Sequence, residues 1–123
     1  MSMSDNSIEL GRSAGHIRVA PTAIAGVASA AVLECYGVVG IAGKRIRGGR
    51  AEVLDEGKYE RGIHVTMDDK AVGIDIYVVV EYGTRISEVA HNIINGVGAA
   101  VRRTLGDVPV RVNVNVQGLR ITT

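Results

Sequence analysis

The sequence predicts an α+β domain, a two-layer sandwich in which a mixed β-sheet carries two main helices on one face in the order β-α-β-β-β-α-β. Three stretches support that reading. In IDIYVVVEY, Ile74, Ile76, Val78, Val80 and Tyr82 fall on one side of a pleat and Asp75, Tyr77, Val79 and Glu81 on the other, the period-two signature of a strand with one buried face. After Gly83 the period changes: Ile86, Val89, Ala90, Ile93, Val97, Ala100, Val101 and Thr104 recur at three- and four-residue steps, the stripe of a helix lying on a sheet, while Glu88, His91, Asn92, Asn95, Arg102 and Arg103 take the wetted face. Beyond Gly106 and Asp107, VPVRVNVNVQG points Val108, Val110, Val112, Val114 and Val116 one way and Arg111, Asn113, Asn115 and Gln117 the other. Each buried valine in such a row contributes roughly 1.5–3 kcal/mol relative to exposure.

Taken in order, residues 1–14 have neither a basic start nor an apolar run of signal-peptide length and read as a flexible lead-in to a single domain over residues 15–123. A short extended piece, His16 to Val19, leads to Pro21, whose fixed φ and missing N–H suit the first turn of a helix. That helix is expected to run to Tyr36, with Gly37 as its left-handed stop. Its interior, TAIAGVASAAVLEC, carries one charge, Glu34, and so is expected to be covered on more than one side, either within the domain or by another subunit. GVVGIAG continues as a glycine-punctuated strand, KRIRGGR from Lys44 to Arg50 reads as a basic turn, and Ala51 to Tyr59 as one short helix. GIHVTM alternates again, and Asp68, Asp69 and Lys70 turn it into the central strand as a hairpin. That strand leaves the polar sheet face to water or a partner.

Composition narrows the function. With 46% apolar but only 3% aromatic residues, and no Phe or Trp, the core must be built from Val, Ile, Ala and Leu. Fourteen Lys plus Arg against 13 Asp plus Glu leave a net charge of +1, which argues against wrapping nucleic acid or an anionic bilayer by bulk electrostatics. The single Cys excludes an internal disulfide and a site of paired cysteines, and the longest apolar stretch, Ala23 to Leu33, is too short to span a bilayer.

Few residues offer chemistry. Glu88 and His91 have the Glu-x-x-His spacing of carboxylate-bridged metal sites, but such sites need a second pair facing a bundle core, and this pair faces outward. His64 and Asp75 can meet across neighbouring strands, without an accompanying nucleophile pattern. Cys35 ends an apolar helix with no sequence-adjacent cation to activate it. Gly37, Gly40 and Gly43 follow a helix rather than precede one, so they read as turn and packing residues instead of a phosphate cradle. No catalytic, cofactor-binding or metal-ligating residue is assigned. Lys44, Arg45, Arg47 and Arg50, set among glycines, are the candidate nucleic-acid contact of an alternative reading as a small RNA-binding module, in which only Tyr77 is placed to stack.

EYGTRISEVAHNI, followed after the helix by VNVNVQG, resembles the alkaline-shock-protein family of bacterial envelope stress response proteins, found mainly in Gram-positive bacteria. The resemblance extends over Gly15 to Thr123 and includes IRVAPTAIAGVASAA and CYGVVGIAGK. It is greatest to the short branch that ends soon after VQGLRIT, without an acidic or glycine-rich tail. The resemblance implies a non-enzymatic, self-associating α+β scaffold or interaction protein in cell-envelope stress response and homeostasis. It also implies a cytoplasmic location, or one at the inner membrane face through a partner such as a small membrane-anchor protein. The residues expected to make contacts are Tyr82, Gly83, Arg85 and Glu88 at the strand-to-helix corner, and Arg111, Asn113, Asn115 and Gln117 on the polar strand, because these combine polarity with rigid placement.

Overall fold

The computed structural model describes residues 8–10, 17–68 and 70–121, and within these the backbone but not the side chains of 8–10 and 47. In chain order the elements are β1 (Ile8–Leu10), β2 (Ile17–Val19), α1 (Pro21–Leu33), β3 (Val38–Arg47), β4 (Arg50–Val53), a 3-10 turn (Tyr59–Arg61), β5 (Ile63–Met67), β6 (Val72–Glu81), α2 (Ile86–Leu105) and β7 (Val110–Arg120). The α+β architecture, with a mixed sheet and two helices packed on one face, is the predicted one.

Strand β6 is the axis of the sheet. Along one edge it pairs in parallel with β7 over its whole length, from Val72 opposite Val110 to Glu81 opposite Arg120. Its other edge is shared: β5 pairs antiparallel with the first half, Ile63 opposite Ile76 and Met67 opposite Val72, and β3 with the second, Ile41 opposite Val78 and Val38 opposite Val80. The turn between β5 and β6 is held by Asp68, whose Oδ1 accepts from the amides of Lys70 and Ala71 at 2.8 Å. Those two bonds hold the Asp68 carboxyl below the usual carboxylate range.

The alternation expected of β6 places Val72, Ile74, Ile76, Val78 and Val80 in the core, all 1% exposed or less. Above them lie Ile24, Ala28 and Val32 of α1, and Val89, Ile93, Val97, Val101 and Leu105 of α2. Helix α2 covers β7, α1 covers β5 and β3, and the helices pack against each other. The ends of the predicted α2 stripe, Ile86 and Thr104, are exposed, while its wetted face is as expected. Val112 is buried, and Val108, Val110, Val114 and Val116 pack half-buried against the core. Helix α2 holds Gly96 at a point where an added Cβ would meet only the Cys35 Sγ, at an ordinary 3.8 Å. Gly96→Ala is therefore expected to raise stability by about 0.5–1 kcal/mol through helix propensity alone, measured by urea unfolding.

Several local expectations need correction. Helix α1 stops at Leu33 rather than Tyr36, because Cys35 N–H bonds back to the Val32 carbonyl in a tight turn, and the chain then reverses at Gly37 with φ +87°. The presumed basic turn from Lys44 to Arg50 is the tip of a β-hairpin: β3 runs on to Arg47, and Gly48 and Gly49, with φ +57° and +74°, form the two-residue reversal into β4. The short helix expected over Ala51 to Tyr59 is instead β4 followed, after a break, by the 3-10 turn. The strand expected to end at Tyr82 covers Val72–Glu81.

Most of the lead-in expected over residues 1–14 lies outside the described residues, but Ile8–Leu10 pairs antiparallel with Ile17–Val19. The sheet face opposite the helices is also not uniformly open. Val79, expected on that polar face, is 1% exposed. Its partners in the neighbouring strands are Gly40 and Gly118, which leave a recess over its side chain. The β3–β4 hairpin bends across that recess: an added Cβ on Gly40 would lie 2.6 Å from Val53 Cγ1, and one on Gly118 3.5 Å from Ala51 Cβ.

Candidate interaction site

The corner where β6 hands over to α2 is built by backbone bonds to two other elements. The Glu81 amide donates to the Gly37 carbonyl at 2.7 Å and the Tyr82 amide to the Arg120 carbonyl at 2.8 Å. The loop after α1, the end of β6 and the end of β7 are thereby joined at one pole of the domain. Gly83 makes the turn with φ +96°, and Thr84 closes it, its Oγ1 donating to the Glu81 carbonyl at 2.7 Å. Arg85 is the N-cap of α2 without a side-chain capping bond. Its guanidinium instead lies 3.8 Å from Glu88, with the two side chains 83% and 68% exposed. A pair so open to water contributes little to stability, which leaves both charges available to a partner.

Around this polar pair stand large apolar side chains that the fold does not bury. Tyr36 is 76% exposed, Tyr82 65%, Ile121 71% and Ile86 41%. Sequence reasoning found Tyr82 but missed the others. The sequence places Tyr36 in a helix and Ile86 in the core stripe; the early stop of α1 instead leaves Tyr36 in the loop that the Glu81–Gly37 bond holds against the end of β6. Tyrosine and aliphatic groups gathered with one charge pair are the composition of contact surfaces.

The second predicted cluster is elsewhere. Arg111 and Asn113 pair with Gly73 and Asp75, at the opposite end of β6 from the corner. The eight steps from Gly73 to Glu81 amount to about 26 Å of strand, so corner and polar strand do not form one site. Most of the polar strand's amides are spent within the fold. Asn113 Nδ2 donates to Asp75 Oδ1 at 2.9 Å, and Asn115 Nδ2 to the Ile76 carbonyl at 3.3 Å. Gln117 Nε2 reaches the carbonyls of Gly43 and Lys44 at 3.3 and 2.8 Å, fastening the hairpin across the sheet. Arg111 remains exposed on a shallow depression of about 620 Å³ that Thr66, Gly73, Asp75 and Asn113 also line.

The remaining candidates are placed as follows. His64 and Asp75 are direct cross-strand partners, yet the imidazole stands edge-on to Tyr77 with ring centres 5.8 Å apart, and the carboxylate accepts from Asn113. Glu88 turns to Arg85, and no group of three or more potential metal ligands occurs among the described residues. Burial pushes the Cys35 thiol up, the charge of Glu34 adds to that, and the thiol donates to the Ala31 carbonyl at 3.4 Å. A thiol so held is a poor nucleophile. Lys44 and Arg45 line a recess of about 380 Å³ with Arg61, His64 and Glu52, where Arg61 lies 3.6 Å from Glu52. Arg50 lies across the hairpin from Arg47. Among the described residues, no helix is long and apolar enough to cross a membrane.

Comparison with known proteins extends over the same region. The model of the alkaline shock protein 23 family, described as having a cell envelope-related function, matches residues 9–121. The uncharacterized protein YloU of Bacillus subtilis is 43% identical over 117 residues, covering 94% of this chain and 98% of that protein. The uncharacterized protein Spy1614 of Streptococcus pyogenes is 32% identical over 116 residues, covering 94% of this chain and 96% of that one. The uncharacterized protein YqhY of Bacillus subtilis is 25% identical over 109 residues. No solved structure matches.

Proposed function

Because the chain belongs to the alkaline shock protein 23 family, of cell envelope-related function, we propose that it is a non-enzymatic interaction protein whose copies associate with one another and whose corner meets a partner at the inner face of the membrane. The observation that carries this reading is the corner itself. Tyr36, Tyr82, Ile86 and Ile121 stay between 41% and 76% exposed around the Arg85–Glu88 pair, although the domain has an ample core in which to bury such side chains. An apolar group of this kind on a small domain marks a contact surface. A small membrane-anchoring protein with a complementary apolar segment is the partner proposed. No observation adds to the RNA-binding alternative, and Tyr77, the stacking residue it would need, is already engaged by His64.

The test combines location with assembly. A fluorescent fusion of the full chain is expected at the cell periphery, and the double variant Tyr36→Ser, Tyr82→Ser is expected to spread through the cell interior while keeping its melting transition. Peripheral location of a folded double variant would remove the corner from the account. Light scattering of the untagged protein is expected to show association between micromolar and millimolar concentration; a strict monomer throughout would end the self-association part.

A further inference from the structure

Strand β7 has one edge in the sheet and one outside it. Its pairing partner is β6 alone among the described strands. The Pro109 carbonyl accepts from the Val72 amide and thus points at β6, and backbone direction alternates along a strand. Arg111, Asn113 and Asn115 therefore aim their amides and carbonyls at β6, while Val110, Val112, Val114 and Val116 aim theirs at the open edge. The free run ends where Pro109 precedes it and where the register slips between Val116 and Gly118. An unpaired edge of this length with no inward charge or proline within it is a template for another strand.

The run itself identifies the strand it fits. VRVNVNV, Val110 to Val116, reads almost the same in both directions about Asn113. When a second copy is laid antiparallel with the two-fold axis at Asn113, Val110 falls opposite Val116 and Val112 opposite Val114. On the other face Arg111 falls opposite Asn115, and Asn113 opposite its own copy. Valine meets valine, polar meets polar, and no two like charges face each other. The four outward-facing residues of each copy all fall opposite outward-facing residues, giving about eight backbone hydrogen bonds in alternating close pairs. The side chains keep their faces, so both helical layers lie on the same side of one continuous sheet. The valines of this run other than Val112 are only half-buried in the single chain, and the second strand would cover what remains of them.

We infer that β7 of one copy pairs antiparallel with β7 of a second, about a two-fold axis at Asn113, and that this isologous contact is the unit of self-association. The inference rests on the self-association proposed above and adds its surface and symmetry. In a Cys35→Ser background, Asn113→Cys places two thiols opposite each other in a non-hydrogen-bonded pair, the closer-spaced kind. Mild oxidation of this full-length variant is expected to give a disulfide-linked dimer. Asn95→Cys, on the exposed face of α2, is expected to stay monomeric under the same treatment. Val114→Pro removes an outward amide and spares the bonds to β6; it is expected to weaken association more than about tenfold. Should that variant not fold, crosslinking at position 113 decides alone. In the intact protein, the amides of Val112 and Val114 are expected to exchange more slowly as concentration rises.

If the intact protein associates but Asn113→Cys crosslinks no better than Asn95→Cys, the edge pairing is overturned while self-association stands. A strict monomer from micromolar to millimolar concentration overturns both. Protection of those amides that arises only with added cell extract assigns the edge to another protein and likewise overturns it.

Discussion

Ile76→Ala is expected to lower the free energy of unfolding by about 2–5 kcal/mol, the range for truncating a fully enclosed aliphatic side chain. Ile76 is 0% exposed in the middle of β6, between Ile63 of β5 and Val114 of β7. The strands on both sides are locked to it by register, so the walls of the resulting cavity cannot collapse inward. The loss approaches the total stability of many small domains, and the measurement is the urea midpoint at constant slope. Ile86→Ala is the control: its side chain is 41% exposed at the corner, and surface changes of that kind fall within about 0.5 kcal/mol. Equal losses at the two positions would mean that the core does not lie where β6 and the helices place it.

Gly62→Ala is expected to cost about 3 kcal/mol, at the upper end of ordinary overpacking, although alanine is among the mildest of substitutions elsewhere. A Cβ on Gly62 would run into the carbonyl oxygen of Ala42 and would lie 2.7 Å from Ile41 Cγ2. Retreat is blocked from two directions, since the Gly62 amide donates to Tyr59 at 2.9 Å and its carbonyl accepts from Tyr77 at 3.0 Å. Relief therefore requires β3 and β5 to separate where both meet β6. Set against the gain expected from Gly96→Ala, the same chemical change should shift the urea midpoint in opposite directions at two glycines. Unchanged stability in Gly62→Ala would show that the backbones of β3 and the 3-10 turn do not approach so closely.

What was legible in the sequence was what periodicity controls. Alternation in β6 and β7 and the three-to-four spacing of α2 are set by which face meets the core, and they hold except at Val79 and at the two ends of α2. Gly37 was legible as a left-handed position, but it turns the chain four residues past the end of α1 instead of capping that helix. The β3–β4 hairpin is masked in the sequence because its cations read as a cluster rather than as strand positions; the paired Gly48–Gly49 is the signal that marks it. Val79 was misplaced for a related reason: strict alternation assigns it to the polar face, and the glycines beside it in β3 and β7 are neighbours only once register is known. The corner was half legible. Tyr82 and Arg85 follow from the strand-to-helix change, whereas Tyr36 joins them only through the Gly37–Glu81 bond, between residues far apart in the chain.

The β6–β7 ladder joins residues such as Asp75 and Asn113 that lie 38 positions apart. During synthesis the innermost strand must therefore wait, one flank bare, until α2 and β7 have also left the ribosome. Over that interval its valines are open to capture by chaperones or by neighbouring nascent chains, and β7 acts as the latch that ends the exposure.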